Sequence, residues 1–133
     1  MNTFNIQIPS IVENIRIIES FIDNARAKLR LDDDIYGNIM IAVTESVNNA
    51  IIHGNKNNRD KNVQISLSIQ DSILKFIVED EGEGFDYQNL PDPTSPENID
   101  KTNGRGIFLM KHLSDEVNFL HDGRVVELSF YMI

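Results

Sequence analysis

Two alternating apolar runs, VQISLSI (residues 63–69) and ILKFIVE (residues 73–79), are separated only by the polar residues QDS. A period of two in both runs, with so short a connection, dictates an antiparallel β-hairpin with one face buried. The second run leads straight into DEGEGFD (residues 80–86). A turn does not need two glycines separated by an acidic residue. This backbone is stripped of side chains at Gly82 and Gly84 yet crowded with carboxylates, which an ordinary turn does not explain.

The remaining segments supply partners for that hairpin. TFNIQI (residues 3–8) alternates Phe4, Ile6 and Ile8 as a short strand. After Pro9, Ser10 and Glu13 have the spacing of a capping box, which is expected to open a long helix. Its apolar face runs through Ile11, Ile15, Ile18, Ile22, Ala25 and Leu29. Asp32, Asp33 and Asp34 start a second helix, where acidic side chains complement the dipole. That helix carries Ile35, Ile39, Val43, Val47, Ala50 and Ile51, and Gly54 is expected to stop it as a C′ glycine. A polar loop, NKNNRDKN, follows at residues 55–62.

Residues 87–103 hold three of the four prolines and have little periodicity, and a loop of that length is usually functional or disordered. GIFLMKHL (residues 106–113) reads as a short helix. EVNFL, a turn at residues 121–123 and RVVELSFYMI (residues 124–133) read as a second antiparallel hairpin. Strands and helices segregate, which places the chain in the α+β class. The expected architecture is a two-layer sandwich: a mixed, mostly antiparallel sheet with helices on one face, forming one domain over residues 1–133.

Composition removes several functions. The net charge of −9 offers no basic surface for nucleic acid. With no cysteine, disulfides, thiolate zinc sites and cysteine nucleophiles are excluded, which fits a cytoplasmic setting. The first residues lack a signal-peptide pattern, and no apolar stretch is long enough to span a membrane.

Three local patterns carry chemistry. In AVTESVNNAIIHG, Glu45 and Asn49 lie four apart and share a helix face. Alone, such a pair is an ordinary solvated stripe. Asp80 with Gly82 and Gly84 is the second pattern. The third is TNGRGIFLM, in which Gly104, Arg105 and Gly106 are expected to precede a helix whose free N–H groups suit an anion. Gly-x-Gly alone is weak: no strand leads into it as a dinucleotide site requires, and GxxxxGK[ST] is absent. His53, His112 and His121 have no metal-ligand spacing. Ser10, Ser46 and Ser114 show no sign of a nucleophile.

The order E-x-x-x-N, D-x-G-x-G, long loop, G-x-G resembles the ATP-binding domain shared by gyrase, the large heat-shock chaperones, histidine kinases and mismatch-repair ATPases (the Bergerat, or GHKL, fold). The chain is most similar to the stand-alone anti-sigma factor serine kinases of bacterial partner-switching modules, from Phe4 to Phe130. The resemblance implies ATP and ADP as ligands with Mg²⁺, and serine phosphorylation of a small antagonist protein. It assigns adenine recognition to Asp80, close backbone approach to Gly82 and Gly84, Mg²⁺ binding to Asn49 and the general base to Glu45. It makes residues 87–103 an ATP lid ending in the phosphate cradle of Gly104, Arg105 and Gly106. It also implies a homodimer, and a sigma factor or other regulator as a second partner. Two positions depart from the family: Thr102, where an arginine is frequent, and Val125, near which a threonine often helps hold adenine. Two other readings stay open: an ATP/ADP-gated binding switch with little transfer, and a histidine-kinase catalytic domain, for which no phosphoacceptor hairpin is in evidence.

Overall fold

The computed structural model describes residues 2–84 and 102–132, with the side chains of residues 2 and 102–104 outside the description. Five strands, β1 (Asn2–Pro9), β2 (Asn62–Gln70), β3 (Ile73–Glu79), β4 (Glu116–Leu120) and β5 (Val125–Tyr131), form one sheet in the order β1-β2-β3-β5-β4. Among the described residues every pairing is antiparallel, in place of the expected mixed, mostly antiparallel sheet. The helices are α1 (Ile15–Leu29), α2 (Asp33–Asn49) and α3 (Thr102–Leu113).

Register turns strand alternation into continuous apolar rows across the sheet. One row runs Phe4, Leu67, Phe76, Leu128, Val117, and the next runs Ile6, Ile65, Val78, Val126, Phe119. Phe76 also meets Phe130 edge-on, with ring centres 6.0 Å apart. These rows are covered by Ile18 and Ile22 of α1, Ile39, Val43 and Val47 of α2, and Ile107 and Met110 of α3, all buried. The opposite face exposes Asn5, Gln7 and Gln64. The two layers follow from that asymmetry. At the β2–β3 turn, Asp71 and Ser72 both take positive φ, as a tight hairpin twisted like its strands requires.

The second helix starts as its acidic residues suggest: the Asp32 carboxylate caps it by accepting from the Ile35 N–H at 2.9 Å. Three expectations need correction. The Ser10–Glu13 capping box does not form. Ser10 donates its hydroxyl to the Lys61 carbonyl at 2.7 Å, a tight 3₁₀ turn follows at Val12–Asn14, and α1 begins only at Ile15. A long-range partner outcompetes the local one. Gly54 is not a left-handed stop: α2 runs on into a wider π-type turn over Ala50–Gly54, and Gly54 is absent from the residues of positive φ. Lastly, α3 starts at Thr102, so Gly104 and Gly106 lie inside the helix instead of preceding it. Residues 87–101 of the expected lid fall outside the described residues. No helix among the described residues is long and apolar enough to cross a membrane.

Ser10 and Glu13 therefore separate experimentally. Ser10→Ala should cost about 1–3 kcal/mol in urea unfolding, because it removes the hydroxyl bond to Lys61 and leaves the buried Asn55 amide without its Ser10 acceptor. The exposed Glu13→Ala should stay within about 0.5 kcal/mol of native. A loss at Glu13 as large as at Ser10 would restore the capping box.

Candidate nucleotide site

The site is built on one face of α2 and the turn that extends it. Ser46, Asn49, Ala50 and His53 stand at helical spacing and line a cleft. Val78 at the end of β3, Val126 of β5, and Ile107 and Met110 of α3 complete its apolar walls, with Asp80, Gly54 and Gly123 at the polar end. About 490 Å³ of space, open solvent included, lies within and before it.

Backbone crowding around Asp80 explains the glycines. A β-carbon on Gly54 would lie 2.3 Å from Asp80 Oδ2, and one on Gly82 would lie 2.0 Å from the Gly54 carbonyl oxygen. A side chain at Gly54 would displace the Asp80 carboxylate, and one at Gly82 would push into the Gly54 backbone. Gly84 differs in kind: its φ is +90°, and a β-carbon there would strike the Asp122 carbonyl at 2.1 Å. Asp122 belongs to the β4–β5 turn, where His121, Asp122 and Gly123 all take positive φ. That turn is thereby pressed against the segment after β3.

Asp80 itself is 8% exposed. Its N–H donates to the Arg124 carbonyl at 3.0 Å, and its Oδ1 accepts from the Gly82 N–H at 2.8 Å. Burial pushes its carboxyl above the ordinary aspartate value, against the opposing pull of the Gly82 N–H and the Arg124 charge. An ionised carboxylate held there at neutral pH is short of donors.

Glu45 and Asn49 converge on α3. A β-carbon on Gly106 would lie 2.9 Å from Asn49 Nδ2 and 3.2 Å from Glu45 Oε2. Gly106 thus lets the helix pass close to both side-chain tips, a reason for glycine other than freedom of φ. The fold brings Glu45, Asn49 and Gly106 to one spot and Asp80, Gly82 and Gly54 to another, with Asn49 and Asp80 both on the cleft. Gly84 sits against the hairpin turn. Arg105 is exposed on α3 and is not among the residues lining the cleft. The surroundings of Gly104 lie outside the description. On β5 it is Val126 that lines the cleft, while its neighbour Val125 lines a separate hollow beside Glu79 and His121.

Sequence reading missed Asn55, the first residue of the supposed polar loop. It is 2% exposed. Its side chain donates to Ser10 Oγ at 2.8 Å and to the Asn62 carbonyl at 3.0 Å, and accepts from the Glu81 N–H at 2.7 Å. The Glu81 carboxylate in turn accepts from the Asn62 N–H. Asn55 therefore ties the end of β1, the start of β2 and the segment bearing Asp80 into one polar knot. An asparagine one place after a helix-ending glycine gave no hint of this, because its partners are distant in sequence.

A helix-covered antiparallel sheet, with a buried carboxylate in a cleft at the end of a central strand, defines an α+β sandwich with a candidate ligand site. The family model of the histidine kinase-like ATPase domain matches residues 8–130, and the chain belongs to that family, which implies ATP binding. The serine-protein kinase RsbW of Bacillus subtilis (strain 168) is 29% identical over 133 residues, covering 95% of this chain and 83% of that protein. Its counterpart of the same name from Staphylococcus aureus (strain JH9) is 28% identical over 134 residues, covering 95% and 84%. A crystal structure of the RsbU and RsbW domains of a Mycobacterium tuberculosis protein superposes with a TM-score of 0.72 at 15% identity. That likeness is one of fold, over 99% of this chain and 33% of the other.

The buried Asp80 gives a signed pH test. Its raised value means the folded chain holds the proton more tightly than the unfolded one, so ionisation weakens the fold as pH rises above the ordinary 3.8. Asp80→Asn lacks that loss. As pH rises from about 4 through the raised midpoint of Asp80, the variant's stability relative to native should climb and then level off, measured by denaturant unfolding at each pH. A difference that stays flat would mean that Asp80 is not held in a desolvated place.

Proposed function

We propose that the chain is a Mg²⁺- and ATP-dependent serine-protein kinase that phosphorylates a small antagonist protein and so controls a sigma factor or another regulator. The observation that carries this reading is the buried Asp80 carboxylate, an acceptor set in a cleft whose polar end is backbone. A flat base that presents an exocyclic amino group fits this end of the cleft: the amino group donates to Asp80, and Gly54 and Gly82 let the backbone close around that carboxylate. The kinase relatives supply the phosphoacceptor class, a serine hydroxyl.

Asn49 would hold Mg²⁺ through its amide oxygen. Among the described residues no three acidic or histidine side chains gather as a metal site, so the ion would take its other ligands from phosphates and water. Bound Mg·ATP supplies the phosphoryl group. Glu45, one helical turn before Asn49 and beside the same point on α3, would accept the proton of the attacking serine. The first turn of α3, which includes Gly104 and Arg105, would present backbone N–H groups to the phosphates, with Gly106 beside Glu45 and Asn49. β1 forms an edge of the sheet and carries Phe4, 40% exposed, a suitable surface for a homodimer.

Two variants test the roles. Asn49→Ala should abolish most of the gain in nucleotide affinity that Mg²⁺ confers, as read by calorimetry with and without the ion; equal Mg²⁺ dependence in both proteins would contradict the ligand assignment. Glu45→Ala should bind ATP as native does but transfer phosphate to the antagonist about 10²–10⁴-fold more slowly. Native protein that binds ATP and partner yet never modifies any partner would point to a nucleotide-gated switch instead.

A further inference from the structure

A serine inside a helix commonly returns its hydroxyl to a carbonyl one turn back, as Thr44 does to Met40 at 2.6 Å. Ser46, two residues on, does not. Its Oγ is buried without a hydrogen-bond partner, at a residue only 2% exposed. Ser114 Oγ shares that condition, but only Ser46 lines the cleft that holds Asp80. A buried hydroxyl left unpaired destabilises the fold, and alanine would serve the helix better at this position. The chain alone gains nothing from Ser46.

The chemistry of the cleft says what the hydroxyl is for. An ionised Asp80 can only accept, whereas the in-plane ring nitrogens of a purine need donors. Ala50, Val78, Met110 and Val126 offer none. Asn49 turns its amide toward Gly106, and His53 is exposed. Ser46 is the buried donor that remains among these side chains. We infer that the Ser46 hydroxyl is a specificity-determining contact for the base, donating to a purine ring nitrogen directly or through one ordered water. This rests on the adenine-nucleotide reading above and adds a second recognition point opposite in sense to Asp80: one accepts, the other donates.

The test is calorimetry of native protein and Ser46→Ala with Mg·ATP and with analogues in which N1, N3 or N7 of the ring is replaced by CH. Ser46→Ala should bind ATP about fivefold to tenfold more weakly, the worth of one hydrogen bond. One analogue should lose a similar factor against the native protein and nothing further against the variant. Without nucleotide, the variant should melt no lower than native, since an orphaned hydroxyl has been removed. ATP affinity of Ser46→Ala within about twofold of native, equal losses for every analogue with both proteins, or a lower melting temperature would overturn the inference. If native protein bound ATP normally while the variant was unaffected, only this inference would fall. Failure of native protein to bind ATP would remove the nucleotide reading with it.

Discussion

The carboxylate of Asp80 is buried where two stretches of backbone meet, and the rest of the site is arranged around that burial. Removing a charge from water is costly unless it gains partners. Here one oxygen takes the Gly82 N–H and the other lies where a β-carbon of Gly54 would be. The end of α2, the end of β3 and the β4–β5 turn must therefore all approach at backbone distance. Gly54, Gly82 and Gly84 permit this at three separate contacts. Larger residues at any of them would open the cleft or expel the carboxylate.

That crowding needs support from outside the cleft, and Asn55 provides it. By bonding at once to Ser10, Asn62 and Glu81, it fixes the segment after β3 against the edge pair of strands β1 and β2. The same bonds explain why Ser10 abandons local capping. Its hydroxyl is worth more in a buried knot, with Lys61 and Asn55 as partners, than at an exposed helix start. Structure at the base of the sheet and geometry at the Asp80 end of the cleft thus draw on one set of hydrogen bonds. Nucleotide recognition and fold stability should prove difficult to separate by mutation there.

Much of this was legible in the sequence, for identifiable reasons. Strand alternation in residues 63–79 and the acidic start of α2 are local signals that no distant partner overrides. The spacing of Glu45 and Asn49 gave their shared face correctly, because helical periodicity alone decides it. What failed depended on partners distant along the chain. Ser10 chose Lys61 over Glu13, and Gly54 proved necessary for a contact with Asp80 twenty-six residues on instead of for a helix end. Gly106 proved to be a passage for Glu45 and Asn49 within α3, where a helix opening had been expected. Ser46 looked ordinary because an orphaned hydroxyl is a property of packing, invisible in a string of residues.

The central claim is that Asp80 recognises the base by accepting a hydrogen bond from its amino group. Carbon-labelled aspartate lets the side-chain carboxyl of Asp80 be titrated by NMR, alone and with saturating nucleotide. An N–H donor stabilises the ionised form, so ATP should lower the midpoint of Asp80 from its raised value in the free protein. Inosine triphosphate, with a carbonyl in place of the amino group, should not lower it. A midpoint that ATP leaves unchanged, or that both nucleotides lower equally, would contradict the account.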